Sequence, residues 1–410
     1  MDEGLSLERR LLIVSETFRL IEKFFIHWED ALITPNEMEQ TAETFFKKAA
    51  DAKTRIQFNW VRMELFGRLR NAHSWFSDQG APEPDNGYLG FSLLNMGGQW
   101  VVDLDATGAL QPGDAVLAIG GKCPSEWYRE LEPFIGASKA DSKQIRAQYL
   151  FSAIIPGVTL EVEIQDKNDS RRSVMLSRMK GDDKRLKTVN MPSETEGKWL
   201  QKGKTAYIRI PSFTQPIYEE RALGLVNEYQ HASTIVIDLR GNGGGSTPVQ
   251  LTRRLMDRPY RSWMERSRHP EWLWQRHGGG NIKFADDYRY AERQPDWMQH
   301  SGEGEHYTGR IILLGDRRAG SAAEDFIMPF KDNGRAEIVG EHTWGSRGQP
   351  IIKHFGDDIQ IGIGTIRAYF PSGDPFEGVG IAPDIEVGYT RGELYDKTDS
   401  ALEKAMELID

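Results

Sequence analysis

The chain changes its hydrophobic rhythm three times. Up to about residue 80, apolar residues recur at helical spacing in LLIVSETFRLIEKFFIHW and again in FNWVRMELFGRL, which predicts amphipathic helices. That stretch ends at Asn71-Ala72-His73-Ser74-Trp75-Phe76, and the loop residues Gly80, Pro82, Pro84 and Asp85-Asn86-Gly87 mark a boundary near 80–86. Residues 87–178 then alternate short apolar runs with turns: GYLGFSLL, QWVVDLD, GDAVLAIGG, VTLEVEIQ and RRSVMLSR. They predict a small β-rich module with one or two helices between Ser125 and Ala153. A polar, charged linker from Met179 to about Lys202 follows.

From Thr205 the texture is α/β. Strands AYIRI, TIVIDL, RIILLG and AEIVG alternate with helices IYEERALGLVNEYQ, PVQLTRRLM and SAAEDFIMPFKD. Such alternation implies crossover connections and a largely parallel sheet. The later run DIQIGIGTIRAYF is expected to complete it as a mixed sheet. Between Asp257 and Arg310 lies a long segment rich in Trp, Tyr, His and Arg, the composition of a lid or binding wall. The expected fold class is mixed α/β (α+β) in three parts: a helical region at 1–80, the β module at 85–178 and an α/β core at 195–410.

Composition narrows the function. The 410 residues carry a net charge of −10, and no basic stripe offsets it, so nucleic acid is not an expected partner. The single cysteine, Cys123, excludes an intrachain disulfide and a Cys-based zinc site. No H-E-x-x-H is present and the histidines are scattered, so neither metal nor cofactor is expected. No stretch reaches the ~18–20 apolar residues that span a bilayer. The start is not a signal peptide as written, so the expected location is cytoplasmic, or periplasmic or extracellular if this is a mature form. Oligomeric state is open.

Candidate chemistry gathers at two turns. Ser321 stands between the strand RIILLG and the helix SAAEDFIMPFKD, and S-x-x-E with Glu324 is a capping box. The same position also suits a nucleophile, because free N–H groups and a positive dipole end lie beside the hydroxyl. The second turn is Arg240-Gly241-Asn242-Gly243-Gly244-Gly245, after TIVIDL. It lacks phosphate-loop and dinucleotide spacing, but its glycines leave backbone N–H groups unobstructed.

The motif order is His73, then Tyr88-Leu89-Gly90-Phe91 and LQPGDAVLAIGG, then IDLRGNGGG, GSAAE, GEHTWG and FEGVGIAPD. Over about 60–410 this order resembles peptidase family S41, the C-terminal processing (tail-specific) and tricorn-core serine proteases. The resemblance implies a PDZ-like module at 85–178, with Tyr88, Leu89, Gly90 and Phe91 as a peptide-carboxylate loop. It implies a protease core of crotonase-like (ClpP/crotonase) type and a protein or peptide substrate. Where the processing branch carries a lysine in G-x-T-x-G-K-G, this chain has Ser346. Arg347 cannot replace it as a base because guanidinium stays protonated.

The Ser-His-Glu pattern of the tricorn-like branch is therefore the one implied, with Ser321 as nucleophile, His73 as base and Glu377 orienting it. Ala322 and Gly244 are the implied oxyanion donors. Ser74 and Ser346 are accessory candidates, and His342 is the competing base. Two non-catalytic alternatives remain at this point: an inactive ligand- or peptide-binding protein on the same fold, and a peptide-sensing scaffold.

Overall fold

The computed structural model describes residues 4–186, 194–271, 273, 282–284, 290–299 and 306–409. It divides into two compact units. The first comprises Met1–Met191, Gln349–Thr365 and Tyr389–Thr398; the second comprises Pro192–Gly348, Ile366–Gly388 and Asp399–Asp410.

The first unit opens with helices Leu7–Phe24, Met38–Asp51 and Arg55–Leu69. Ser6 caps the first of them by accepting the Arg9 N–H, and Thr54 with Gln57 forms a capping box on the third. The helical expectation stops short of residue 80: Trp75–Asp78 is a strand, paired antiparallel with Ile359–Gly364. Pro350–Phe355 completes that three-stranded sheet. The residues of Trp75–Asp78 are all half-buried. An unbroken run of that kind does not reveal its period.

The β module of this unit is a five-stranded antiparallel sheet in sequence order: Phe91–Met96, Gln99–Asp105, Ala115–Ile119, Thr159–Gln165 and Arg171–Ser177. Helices Pro124–Leu131 and Ala140–Ala147 fall between its third and fourth strands. Trp100, Val102, Trp127, Leu131 and Phe151 share its core.

The second unit is built on a six-stranded sheet. Its order is Ile385–Glu386, Glu337–Gly340, Arg310–Gly315, Thr234–Asp238, Thr205–Arg209 and Glu196–Gln201. Only the last pairing is antiparallel. Its central strands read as continuous apolar runs because both faces are covered. Ile208, Ile235, Ile237, Ile311 and Leu313 lie in one core with Phe326 and Phe330 of the helix Ala322–Asp332. The alternate residues Tyr207, Val236, Ile312, Leu314 and Val339 lie in another with Ala405.

The run DIQIGIGTIRAYF does not join this sheet, contrary to expectation. It divides at Thr365: Ile359–Gly364 belongs to the first unit, while Ile366–Tyr369 pairs with Met264–Ser267 in the second. Strands Ala291–Arg293 and Ile282–Phe284 extend that smaller sheet. The long aromatic segment therefore contributes strands, and its residues 272, 274–281, 285–289 and 300–305 lie outside the described residues, as do 187–193 of the polar linker.

Candidate functional site

In the second unit, parallel strands end together and two of them hand on to tight turns. After Arg310–Gly315 the chain turns through Asp316–Gly320 and reaches Ser321, which precedes the helix Ala322–Asp332. Ser321 has φ 54 and ψ −114, a backbone region that L residues avoid. Such strain persists only where the surroundings impose it, and it clusters at functional sites. Here the restraint is visible. Asn242 is fully buried, and its carbonyl accepts the Gly320 N–H at 2.9 Å while its side-chain N–H donates to the Ile210 carbonyl at 3.0 Å. Gly244, at φ 99, packs so closely that a Cβ there would stand 2.7 Å from the Ser321 Cβ and 2.8 Å from the Ala322 nitrogen.

The Ala322 N–H opens its helix and so has no intrahelical acceptor. The Gly244 N–H donates to Asn242 Oδ1 at 2.9 Å. Of the capping box, the carboxylate half is plain: Glu324 accepts the Ser321 N–H at 2.9 Å.

Glu324 does more than end the helix. It is fully buried, and it also accepts the Thr343 hydroxyl at 2.5 Å, the Gly345 N–H at 2.7 Å and the Ser346 N–H at 3.3 Å. Burial pushes its carboxyl up to about 8, against the pull of those hydrogen bonds. Sequence reasoning gave Glu324 only a local role, since the partners at 343–346 are distant in the chain.

Ser346 carries the network onward. Its hydroxyl donates to Glu377 Oε1 at 2.8 Å, and the Arg347 N–H donates to Oε2 at 3.2 Å. Glu377 is thus buried and held rather than solvated. The Gly378 N–H donates to the Gly345 carbonyl at 2.8 Å, which keeps the two loops in register. The structure therefore brings Ser321, Ala322, Gly244, Glu324, Ser346 and Glu377 into one bonded or closely packed set. His342 is half-buried, one residue before Thr343.

The first unit holds the remaining candidates. His73 is half-buried in the turn between the helix Arg55–Leu69 and the strand Trp75–Asp78. Both its neighbours are tied down. Arg146 donates to the Ala72 carbonyl at 3.0 Å and to the Gly136 carbonyl at 2.5 Å. Buried Ser74 donates to Asn71 Oδ1 at 3.0 Å and accepts the Gly364 N–H at 3.1 Å. Arg146 was not a sequence candidate, and no local signal marks it. Of the loop 88–91, Tyr88 forms an antiparallel bridge with Met179, the Leu89 N–H donates to the Ser152 hydroxyl at 3.2 Å, and Phe91 starts an edge strand. Among the described residues, no group of three or more His, Cys, Asp or Glu side chains is arranged to hold a metal ion. No helix among them is long and apolar enough to cross a membrane.

The chain is similar to known proteins in sequence and in structure. Residues 204–387 match the model of peptidase family S41. Over 397 residues the chain is 21% identical to the tricorn protease of Thermoplasma acidophilum, covering 93% of this chain and 33% of that protein. It is 33% identical over 214 residues to a carboxy-terminal-processing protease of Bartonella bacilliformis, covering 50% of this chain and 44% of that one. The chain thus spans about a third to under half of these relatives' length. In structure, it is similar to mature CPAF complexed with lactacystin, with a TM-score of 0.71, 16% identity and 98% of each chain covered. The photosystem II D1 C-terminal processing protease shares the fold at a TM-score of 0.51 and 18% identity, over 92% of this chain and 93% of that one.

Proposed function

Residues 204–387 match the model of peptidase family S41, and from that match we propose that the chain is a serine peptidase acting on protein or peptide substrates through Ser321, His73 and Glu377. Ser321 is the nucleophile and His73 takes its proton. Glu377 orients the imidazole and favours its charged form. The Ala322 N–H and an N–H of the glycine turn, Gly244 first, stabilise the oxyanion. Because the Gly244 N–H already donates to Asn242 Oδ1, a developing oxyanion must compete for it, whereas Ala322 needs no such exchange.

The observation that carries this reading is the strained backbone of Ser321 at a strand-to-helix turn, with Gly244 pressed against it. A helix cap needs no such conformation, since an N-cap residue ordinarily sits in the β region. An exposed nucleophile on an elbow does need it.

In this reading 195–410 is the crotonase-like protease core and 1–80 is its helical preface. The β module at 85–178 is PDZ-like and offers the edge strand Phe91–Met96 and the loop Tyr88–Phe91 to a peptide. The substitution of Ser346 for a lysine fits the assignment of the base to histidine, because the serine is occupied in holding Glu377. Digestion of denatured proteins by the wild type and by Ser321→Ala tests the proposal. Cleavage by the first alone supports it; no cleavage by either across pH 5–9 returns the chain to a binding role.

A further inference from the structure

A cavity of about 200 Å³ lies in the second unit, between the helix Val249–Leu255, the helix Ala322–Asp332 and the segment Tyr260–Glu265. Its position follows from the two turns already described. Thr247 on its wall is three residues past Gly244, and Asp325 is one helical turn past Ser321, whose carbonyl accepts the Asp325 N–H at 2.9 Å. Side chains on a helix lean toward its N-terminus, so Asp325 leans toward the Ser321 end.

The walls are mainly apolar, with Tyr260, Trp263, Met298 and Met328 among them, yet charge is buried in the lining. Arg347 is 4% exposed and Glu265 is 1% exposed, and Arg347 donates to Glu265 at 2.5 Å and also to Asp325. Asp325 further accepts the Trp263 indole N–H at 2.8 Å and the Thr247 hydroxyl at 2.6 Å. Both acids are therefore engaged. Arg293, 7% exposed, is left with neutral acceptors: the Ser262 hydroxyl at 3.1 Å and the Trp263 carbonyl at 3.4 Å. Among the described residues, no carboxylate lies within ion-pair distance of it. Burial holds its guanidinium below the usual value, while the charges of Glu265, opposite it across the strand pair, and of Asp296 act the other way. Arg253 at the rim is likewise without an ion-pair partner among the described residues, while Arg261 pairs with Asp332 at 2.7 Å.

We propose that this cavity is a substrate subsite for a peptide carboxylate, received by Arg293 with Arg253 at the entrance while the stem packs on Trp263 and Tyr260. A buried guanidinium hydrogen-bonded only to neutral acceptors is costly, and an arriving carboxylate supplies a direct charged partner through a charge-assisted pair. The carboxylate belongs either to an acidic side chain or to the peptide's C-terminus. A lysine side chain meets like charge and is rejected. The position beside the scissile bond rests on Ser321 being the nucleophile; the recognition of a carboxylate does not.

Titration calorimetry on the full chain carrying Ser321→Ala tests it. The ligands are alanine-based hexapeptides with one Glu, Gln, Leu or Lys, each with a free or an amidated C-terminus. A carboxylate peptide should bind about 10-fold tighter than its uncharged counterpart, the scale of a charged hydrogen bond. Arg293→Met should abolish that advantage and Arg253→Ala should reduce it. An advantage that follows Glu identifies the side chain as the source, and one that follows the free terminus identifies the α-carboxylate. Equal binding of Glu, Gln and Leu peptides with no effect of amidation overturns the proposal. So does a carboxylate preference untouched by both arginine variants. If Arg293→Met does not fold, the exposed Arg253→Ala decides alone. A wild type that binds with this preference but cleaves nothing leaves the subsite standing and removes the peptidase.

Discussion

The hydroxyl of Ser346 donates to Oε1 of Glu377 at 2.8 Å. In the proposed mechanism that bond stands at the position where the processing branch carries its lysine. A lysine there would serve as the base; in the proposed mechanism the serine instead fixes a carboxylate, and the base is the His73 imidazole. Losing this donor should weaken the orientation of the base without touching substrate. Ser346→Ala should lower kcat by about 10- to 100-fold at unchanged KM, corresponding to the ~1.5–3 kcal/mol of a hydrogen bond to a charged group. Ser346→Thr, which keeps the hydroxyl, should recover most of it. An unchanged kcat in the alanine variant removes Ser346 from the account.

Glu324 ties the Ser321 turn to the 343–346 loop. Its folded carboxyl, at about 8, lies above the ordinary 4.5, so the folded chain holds the proton more tightly than the unfolded one. The sign is then fixed: the stability linked to this group is fully present at low pH and is lost as pH rises from about 4.5 to about 8. In the protonated state the Thr343 hydroxyl can turn to accept. Melting temperature measured from pH 5 to 8 should fall, and the fall should flatten in Glu324→Gln. That variant should melt lower throughout, since its amide N–H faces backbone donors. A slope unaltered by the substitution contradicts the assignment.

Arg146 secures the Ala72 carbonyl directly before His73. Arg146→Met leaves that carbonyl and the Gly136 carbonyl without their donor, a loss of about 1–3 kcal/mol for unsatisfied buried groups. The expected result is a lower melting temperature and a lower kcat at unchanged KM, read by steady-state kinetics on any cleavable peptide. A kcat that stays at the wild-type level disposes of the positioning role.

Gly244 admits no side chain, given its φ of 99 and the Gly320 carbonyl oxygen only 2.7 Å from where a Cβ would stand. Gly244→Ala should push the glycine turn away from Ala322 and cut acylation by about 100-fold or more, the scale of losing an oxyanion donor. Circular dichroism should still report a folded chain. Full activity in this variant takes the glycine turn out of the oxyanion site.

Much of this was legible in the chain. The apolar runs TIVID and RIILLG give strands because a sheet covered on both faces tolerates no polar alternation. GNGGG and GSAAE mark their turns through glycine conformations and capping chemistry that act within a few residues. What escaped sequence reading depends on partners far apart in the chain. The division of DIQIGIGTIRAYF at Thr365 is invisible in its uniform apolar pattern, as is the strand at Trp75–Asp78. Glu377 in isolation resembles a solvated loop acid, and only the Ser346 and Arg347 contacts make it buried. In the Arg347–Glu265–Asp325 cluster, the arginine's two partners lie 82 and 22 positions away, and no spacing rule reaches that far.

The central claim is that the Ser321 hydroxyl is activated by the His73 imidazole. The direct measurement is the rate of covalent labelling by a fluorophosphonate probe, followed by intact mass and peptide mapping, on the wild type, Ser321→Ala and His73→Ala. The account predicts a single adduct on Ser321 in the wild type, none in Ser321→Ala, and labelling slowed by orders of magnitude in His73→Ala. An adduct on another residue, or His73→Ala labelling at the wild-type rate, contradicts it.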